Sequence, residues 1–146
     1  MDKQQIINVA RSWLYTPWKH NQKIKGVGVD CVNFLVAIAE EVKYPIEPIP
    51  ENYARLPKTL EIKEYLDNNF IARPKEDWCD LEATNILLLE IDGRLCHVAM
   101  ATSPTTMIHA NQRLGRVAEH AIDGIWSNKI RGVYRLLGQI YFQGGN

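Results

Sequence analysis

Residues 32–42, Val-Asn-Phe-Leu-Val-Ala-Ile-Ala-Glu-Glu-Val, are apolar on nearly every side over most of their length. A helix with one apolar stripe can lie on a surface, but one apolar all round must be covered all round. This run therefore predicts a helix in the middle of a domain, packed against a sheet. Asp30 is its expected N-cap, which places Cys31 in the first turn. The preceding Gly26-Val27-Gly28-Val29 supplies a tight turn into it.

The other elements sort by position along the chain. Ile6, Ala10, Trp13 and Leu14 recur at helical spacing over 3–14, and Thr16-Pro17 ends that helix. Residues 18–30 read as a polar loop. Pro45, Pro48, Pro50 and Pro57 make 44–58 an irregular connection to a third helix over about 59–69, marked by Leu60, Ile62, Tyr65 and Leu66. Strands follow over 85–91, 94–102, 106–111, 116–122 and 131–136. Asp92-Gly93 forms a two-residue hairpin turn and Ser103-Pro104-Thr105 a second turn. Helices first and antiparallel strands after predict an α+β fold, with the central helix on a C-terminal sheet of about five strands. At 146 residues the expectation is a single domain over 1–146, with 137–146 a frayed tail.

Charge narrows the function. Seventeen basic and seventeen acidic side chains cancel, which gives no footing for nucleic acid or a polybasic membrane surface. No run approaches the length of a membrane span. Three cysteines without a CxxC pair argue against a disulfide framework and a structural zinc site. The residues after Met1 form an amphipathic segment instead of an apolar signal core, so synthesis in the cytoplasm is expected.

A thiol is a nucleophile as the thiolate, and a helix N-terminus favours that anion. Strand alternation puts Leu95, His97 and Ala99 on one face, and Met107, His109 and Asn111 on one face of the next strand. If the two strands pair, His97 and His109 share a face; the central helix, packed there, would bring Cys31 to His97. His97 would then be the base and His109 its orienting partner, with the Cys31 N–H and a donor from the 15–20 loop as oxyanion hole. On residues alone, Cys31 can equally be a small buried hydrophobe. Zinc ligation by Cys31, His97 and His109, and phosphate binding at Gly26-Val27-Gly28, also stay open. Cys79 and Cys96 read as structural, and His120 as a solvent-facing strand residue.

Four segments in this order resemble the NlpC/P60 cell-wall peptidases, and their phage-type branch in particular. They are Trp13-Leu14-Tyr15-Thr16-Pro17-Trp18-Lys19-His20, Gly28-Val29-Asp30-Cys31, Cys96-His97-Val98-Ala99 and Met107-Ile108-His109-Ala110, with Ile130-Arg131-Gly132-Val133-Tyr134-Arg135-Leu136 as a similar last strand. The resemblance implies a papain-like fold with Cys31 as nucleophile, His97 as base and His109 as third residue. It implies a cysteine endopeptidase that hydrolyses peptidoglycan stem peptides through a thioacyl intermediate, at the D-Glu–diamino acid bond, with no metal or cofactor. Asp30, Trp18, Tyr15 and His20 become candidate substrate-binding residues. Trp18 stands where the family often has tyrosine, Tyr15 where it usually has glycine, and Asn33 and Phe34 where it often has small residues. Without an SH3-like or LysM-like module, delivery to the wall is expected from a larger assembly such as a phage tail. A non-catalytic tail protein and an acyltransferase are the alternative readings of the same fold.

Overall fold

A computed structural model describes residues 2–49 and 59–138, with side chains described from residue 61 onward in the second stretch. Part of the 44–58 connection, the side chain of Leu60 and most of the expected tail lie outside what is described.

Helix α1 (Lys3–Arg11) starts in a capping box. The Asp2 carboxylate accepts from Gln5 N and the Gln5 side chain accepts from Asp2 N, both at 2.8 Å. The helix ends three residues before the expected point. Ser12 Oγ donates back to the Val9 carbonyl at 2.6 Å, and single turns carry the chain onward. Trp13 is nevertheless buried, its indole N–H on Glu41 and its ring edge-on to Phe34.

The polar loop after Pro17 contains a small ribbon, β1 (Lys23–Ile24) paired with β2 (Gly28–Val29), which feeds directly into α2 (Cys31–Glu41). Every residue of α2 from Cys31 to Ala39 is buried, as the all-round apolar run requires. Helix α3 (Thr59–Asn69) leads to a two-residue strand, β3 (Ile71–Ala72), too short to show a period in the sequence.

The remaining strands are β4 (Ile86–Ile91), β5 (Arg94–Ser103), β6 (Thr106–Asn111), β7 (Arg116–Ala121) and β8 (Ile130–Arg135), with a short helix α4 (Gly124–Ser127) before the last. Together with β3 they form a six-stranded antiparallel sheet in the order β3-β8-β4-β5-β6-β7. The α+β, papain-like layout is the expected one. At the β4–β5 turn, Asp92 and Gly93 have φ of +53° and +78°, the left-handed pair that a tight hairpin needs.

The sheet separates two apolar clusters. On one face α1, α2 and α3 pack over Ile86, Leu88, Val98, Met100, Ile108 and Ala110. On the other, Leu87, Leu89, Ala99, Met107 and Val133 meet Trp78, Ile122 and Trp126. Ala99 and Met107, the neighbours of His97 and His109 on their face, belong to this second cluster. The histidines thus point away from the face that α2 covers, contrary to the expected arrangement.

A β-bulge changes the strand's alternation just before His97. Leu89 pairs with His97 but Glu90 pairs with Leu95, so Cys96 is the extra residue. Leu95 accordingly packs with the helix-side cluster although it is two residues from His97. The expectation that Leu95, His97 and Ala99 share a face fails here because the bulge resets the parity.

Leu88 is fully buried between the helices and the sheet, with Gly132 close against its Cβ. Leu88→Ala should lower stability by about 3 kcal/mol, read as a lower urea midpoint with unchanged slope.

Candidate active site

Cys31 occupies the first position of α2, where N–H groups have no intrahelical carbonyl. What holds the helix start is the buried Asp30 carboxylate. Oδ1 accepts from Asn33 N at 2.9 Å and from Asn33 Nδ2 at 3.0 Å, while Oδ2 accepts from Asn21 N at 2.6 Å. One side chain therefore caps the helix and ties down the preceding loop. The path into it is tight: a Cβ on Gly28 would come within 2.5 Å of Gln22 Oε1 and 2.7 Å of Lys19 Cδ. Gly26, at φ +79°, donates its N–H to Thr16 Oγ1. Cys31 Sγ lies 3.9 Å from the carbonyl oxygen of Cys96, so the nucleophile candidate sits at the bulge.

From His97 a row of three imidazoles runs across β5, β6 and β7. His97 Nε2 is 2.6 Å from His109 Nδ1, and His109 Nε2 is 2.8 Å from His120 Nε2. His120 Nδ1 in turn is 2.9 Å from the carbonyl oxygen of Ala121. The rows are diagonal: Met100 pairs with Ile108 and Met107 with His120, so each histidine meets one offset by two residues. Trp126 covers the array, its ring centroid 5.2 Å from both His109 and His120. Burial holds His97 down at a pKa of about 4. It holds His109 lower still, aided by repulsion from His97 and then His120. Both rings are neutral near pH 7.

These groups open into one cleft of about 840 Å³, lined by Trp18, His20, Asp30, Cys31, Cys96, His97, His109, Asn111 and Trp126. Its rim carries Arg94, Arg113 and Lys129 against Asp92. Among the described residues, no three or more histidine, cysteine or acidic side chains converge as metal ligands.

The whole path of the chain can be compared with solved structures. An NlpC/P60 family protein from Bacillus cereus superposes with a TM-score of 0.71 at 21% identity, over 94% of this chain and 41% of that one. The fold is that of the NlpC/P60 proteins. The NlpC/P60 domain of the peptidoglycan hydrolase SagA gives 0.67 at 17% identity, over 93% of this chain and all of that domain. NlpC2 from Trichomonas vaginalis gives 0.68 at 11% identity, over 91% and 46%. This chain thus spans about two-fifths of the Bacillus cereus protein. No family profile matches the sequence. No curated protein matches it either.

Within this NlpC/P60 fold most expected site residues come together, and some do not. Cys31, His97, His109, Asp30, Trp18 and His20 all line the cleft. Tyr15 does not: it is 72% exposed, outside the cleft lining, with Arg116 over its ring. Its φ of +72° explains why glycine suits the position in the resembling family. The expected oxyanion donor from the 15–20 loop is also limited. The N–H groups of Tyr15, Thr16, Trp18 and Lys19 already serve the carbonyls of Val117, Trp13, Gly115 and Val29, and Pro17 has none. Asn33, a departure from a small residue, is absorbed by its bond to Asp30.

Three readings of single residues change. Cys96 is the bulge residue and lines the cleft; burial pushes its thiol pKa up. Cys79 is exposed, with Sγ 3.7 Å from the Glu76 carbonyl oxygen. His120 faces His109 and Trp126 and is only half-buried, not a solvent-facing strand residue. Its link to His109 depends on the register of two hairpins. The sequence signal available was parity alone: counted back from the turn, His120 falls on the face of Met107 and His109.

Tyr15→Gly should relieve the left-handed strain and raise Tm by about 3 °C, measured by thermal melting. Acid should weaken the fold through the buried imidazoles. The unfolded chain takes up a proton at each as pH falls through about 6.5, whereas folded His97 does so only near 4. More protons bound to the unfolded state means stability is full above 6.5 and declines below it. For His97 the loss reaches roughly 3 kcal/mol by pH 4. Urea unfolding between pH 8 and pH 4 measures the decline, and His109→Asn should flatten it.

Proposed function

We propose that this chain is a cysteine peptidase of the NlpC/P60 type that hydrolyses peptidoglycan stem peptides. The observation that carries the reading is one cleft holding both a cysteine at a helix N-terminus and a buried, neutral His97–His109 pair. A neutral imidazole is the form that accepts a proton, so His97 acts as general base on a thiol instead of waiting as half of an ion pair.

The steps follow from these groups. Cys31 Sγ attacks the scissile carbonyl carbon as its proton passes to His97. The oxyanion is held by the Cys31 N–H at the positive end of α2. Collapse breaks the C–N bond, and His97 returns its proton to the leaving amine, which leaves a thioacyl enzyme. Water then attacks the thioester, giving its proton to His97, and the carboxylic acid departs as the thiol re-forms. His109 holds the His97 ring through the 2.6 Å contact. Trp18 and His20, whose rings lie 6.5 Å apart, form a wall for the peptide.

The cationic rim suits a peptide that bears carboxylates. It is the feature here that favours cleavage beside D-Glu, at its bond to the diamino acid. Asp30 is a poorer candidate for a substrate ammonium than its place in the motif implies, because both of its oxygens already accept bonds from Asn21 and Asn33. The phage-type branch, and delivery by a phage tail, rest on the motifs around Trp13 to His20 and Gly28 to Cys31.

Mass spectrometry of muropeptides after incubation with the protein tests the reading. New fragments should appear with the wild type and vanish with Cys31→Ala, whose melting temperature should stay within about 2 °C. His97→Ala should lose about a thousandfold and His109→Ala less, since an orienting group contributes less than the base. Cleavage that persists in Cys31→Ala overturns the assignment.

A further inference from the structure

His120 has no role in the three-residue scheme, yet it closes a chain of ring contacts whose far end is a fixed backbone acceptor. A carbonyl oxygen can only accept. At 2.9 Å from the Ala121 oxygen, His120 Nδ1 must therefore carry a hydrogen and donate it. In a neutral ring that leaves Nε2 bare. The neighbour 2.8 Å away, His109 Nε2, then has to be the donor. With Nε2 protonated, neutral His109 presents a bare Nδ1, and that atom stands 2.6 Å from His97 Nε2. His97 must in turn donate from Nε2, and its Nδ1 is left with a lone pair.

We infer that His120 is a positioning residue that acts through His109, holding His97 as the Nε2–H tautomer with a basic Nδ1. The inference rests on the reading of His97 as the base, because tautomer selection matters to catalysis only there. In a lone imidazole the two neutral tautomers interconvert readily in water, and a base in the wrong tautomer presents a hydrogen where it needs a lone pair. The three-ring chain removes that choice, and it does so from a main-chain atom that no side-chain motion can take away.

The reversed chain has a definite cost. It would set a bare His120 Nδ1 against the Ala121 oxygen, lone pair to lone pair, at 2.9 Å. Its one compensation would be the Asn111 amide. The Asn111 Oδ1 accepts from Leu114 N at 3.1 Å, which turns Nδ2 towards His109 Nε2. That approach is 3.5 Å, long for a hydrogen bond and well beyond the 2.8 Å to His120. The short contacts therefore decide the direction. Successive rings stand nearly perpendicular, at 77° and 74°, which leaves each N–H pointed at its neighbour's lone pair, and Trp126 packs against both His109 and His120.

The test is long-range proton–nitrogen NMR on the full chain labelled with ¹⁵N-histidine, at about pH 8, where His97 and His109 are neutral. Wild type should show Nε2 protonated and Nδ1 bare at His97 and His109, and the opposite at His120. His120→Phe, which removes the acceptor but keeps a ring against Trp126, should give a mixture of tautomers at His97. It should lower kcat on muropeptides about tenfold with KM unchanged. His120→Gln, whose amide oxygen can accept from His109 Nε2, should restore the single tautomer and most of kcat. A protonated Nδ1 on wild-type His97 overturns the inference without any variant. So does an unchanged His97 tautomer in His120→Phe. If the tautomers come out as expected but no form cleaves muropeptides, the peptidase reading fails and the assignment of His120 stands.

Discussion

The buried carboxylate of Asp30 is the interaction on which the arrangement of this protein depends. It binds the first turn of α2 through Asn33 and the preceding loop through Asn21. The other ties between loop and helix lie further off: the β1–β2 ribbon, the Trp18–Val29 bridge, and the exposed ion pairs of Lys23 with Glu40 and Lys25 with Glu41. The helix it caps is covered on every side, so its end has little freedom to shift. Cys31 thus inherits its position from packing along the helix and from one acceptor at its start. In the proposed reaction the carboxylate contributes by placing the thiol.

Burial performs a second task on the opposite face of the sheet. His97 and His109 are removed from water, and among the described residues no carboxylate is bonded to either ring, so the neutral form prevails. That differs from a histidine held by an aspartate, where the charged ring is favoured. Here the polar partners are other imidazoles, each of which can give or accept, and the order among them is set from the edge. The result is a ring that stays uncharged in the cleft, the form from which the proposed base acts. The cost of this arrangement is carried by the fold, which must exclude water from the rings of His97 and His109 with Trp126 and the neighbouring apolar side chains.

Much of this was legible in the sequence, for reasons that differ by element. The apolar run of α2 and the Asp92-Gly93 turn are local signals, and the helix start at Cys31 follows from Asp30 as cap. Residues 106–111 form a strand with the expected bounds because a turn flanks each end. What could not be read were features that depend on pairing. The two-residue β3 exists because β8 passes beside it, not because Ile71-Ala72 is a strand-forming sequence. The face that the histidines occupy depends on where the alternation slips, and nothing in Leu95-Cys96-His97 announces an extra residue. Tyr15 was placed near substrate by its position in a motif, but its left-handed backbone turns the ring outwards.

The bulge at Cys96 has a wider consequence. Because it shifts the phase of β5 by one residue, the strand is two strands in effect, each with its own inside and outside. The segment before it, with Arg94 and the hairpin tip, can present its side chains to the cleft rim independently of the segment after it, whose alternation is committed to the core and to His97. A protein built this way can vary the side chains at the cleft rim while the His97 ring stays where it is. On the proposed peptidase reading, the slip in the ladder is the joint between recognition and chemistry.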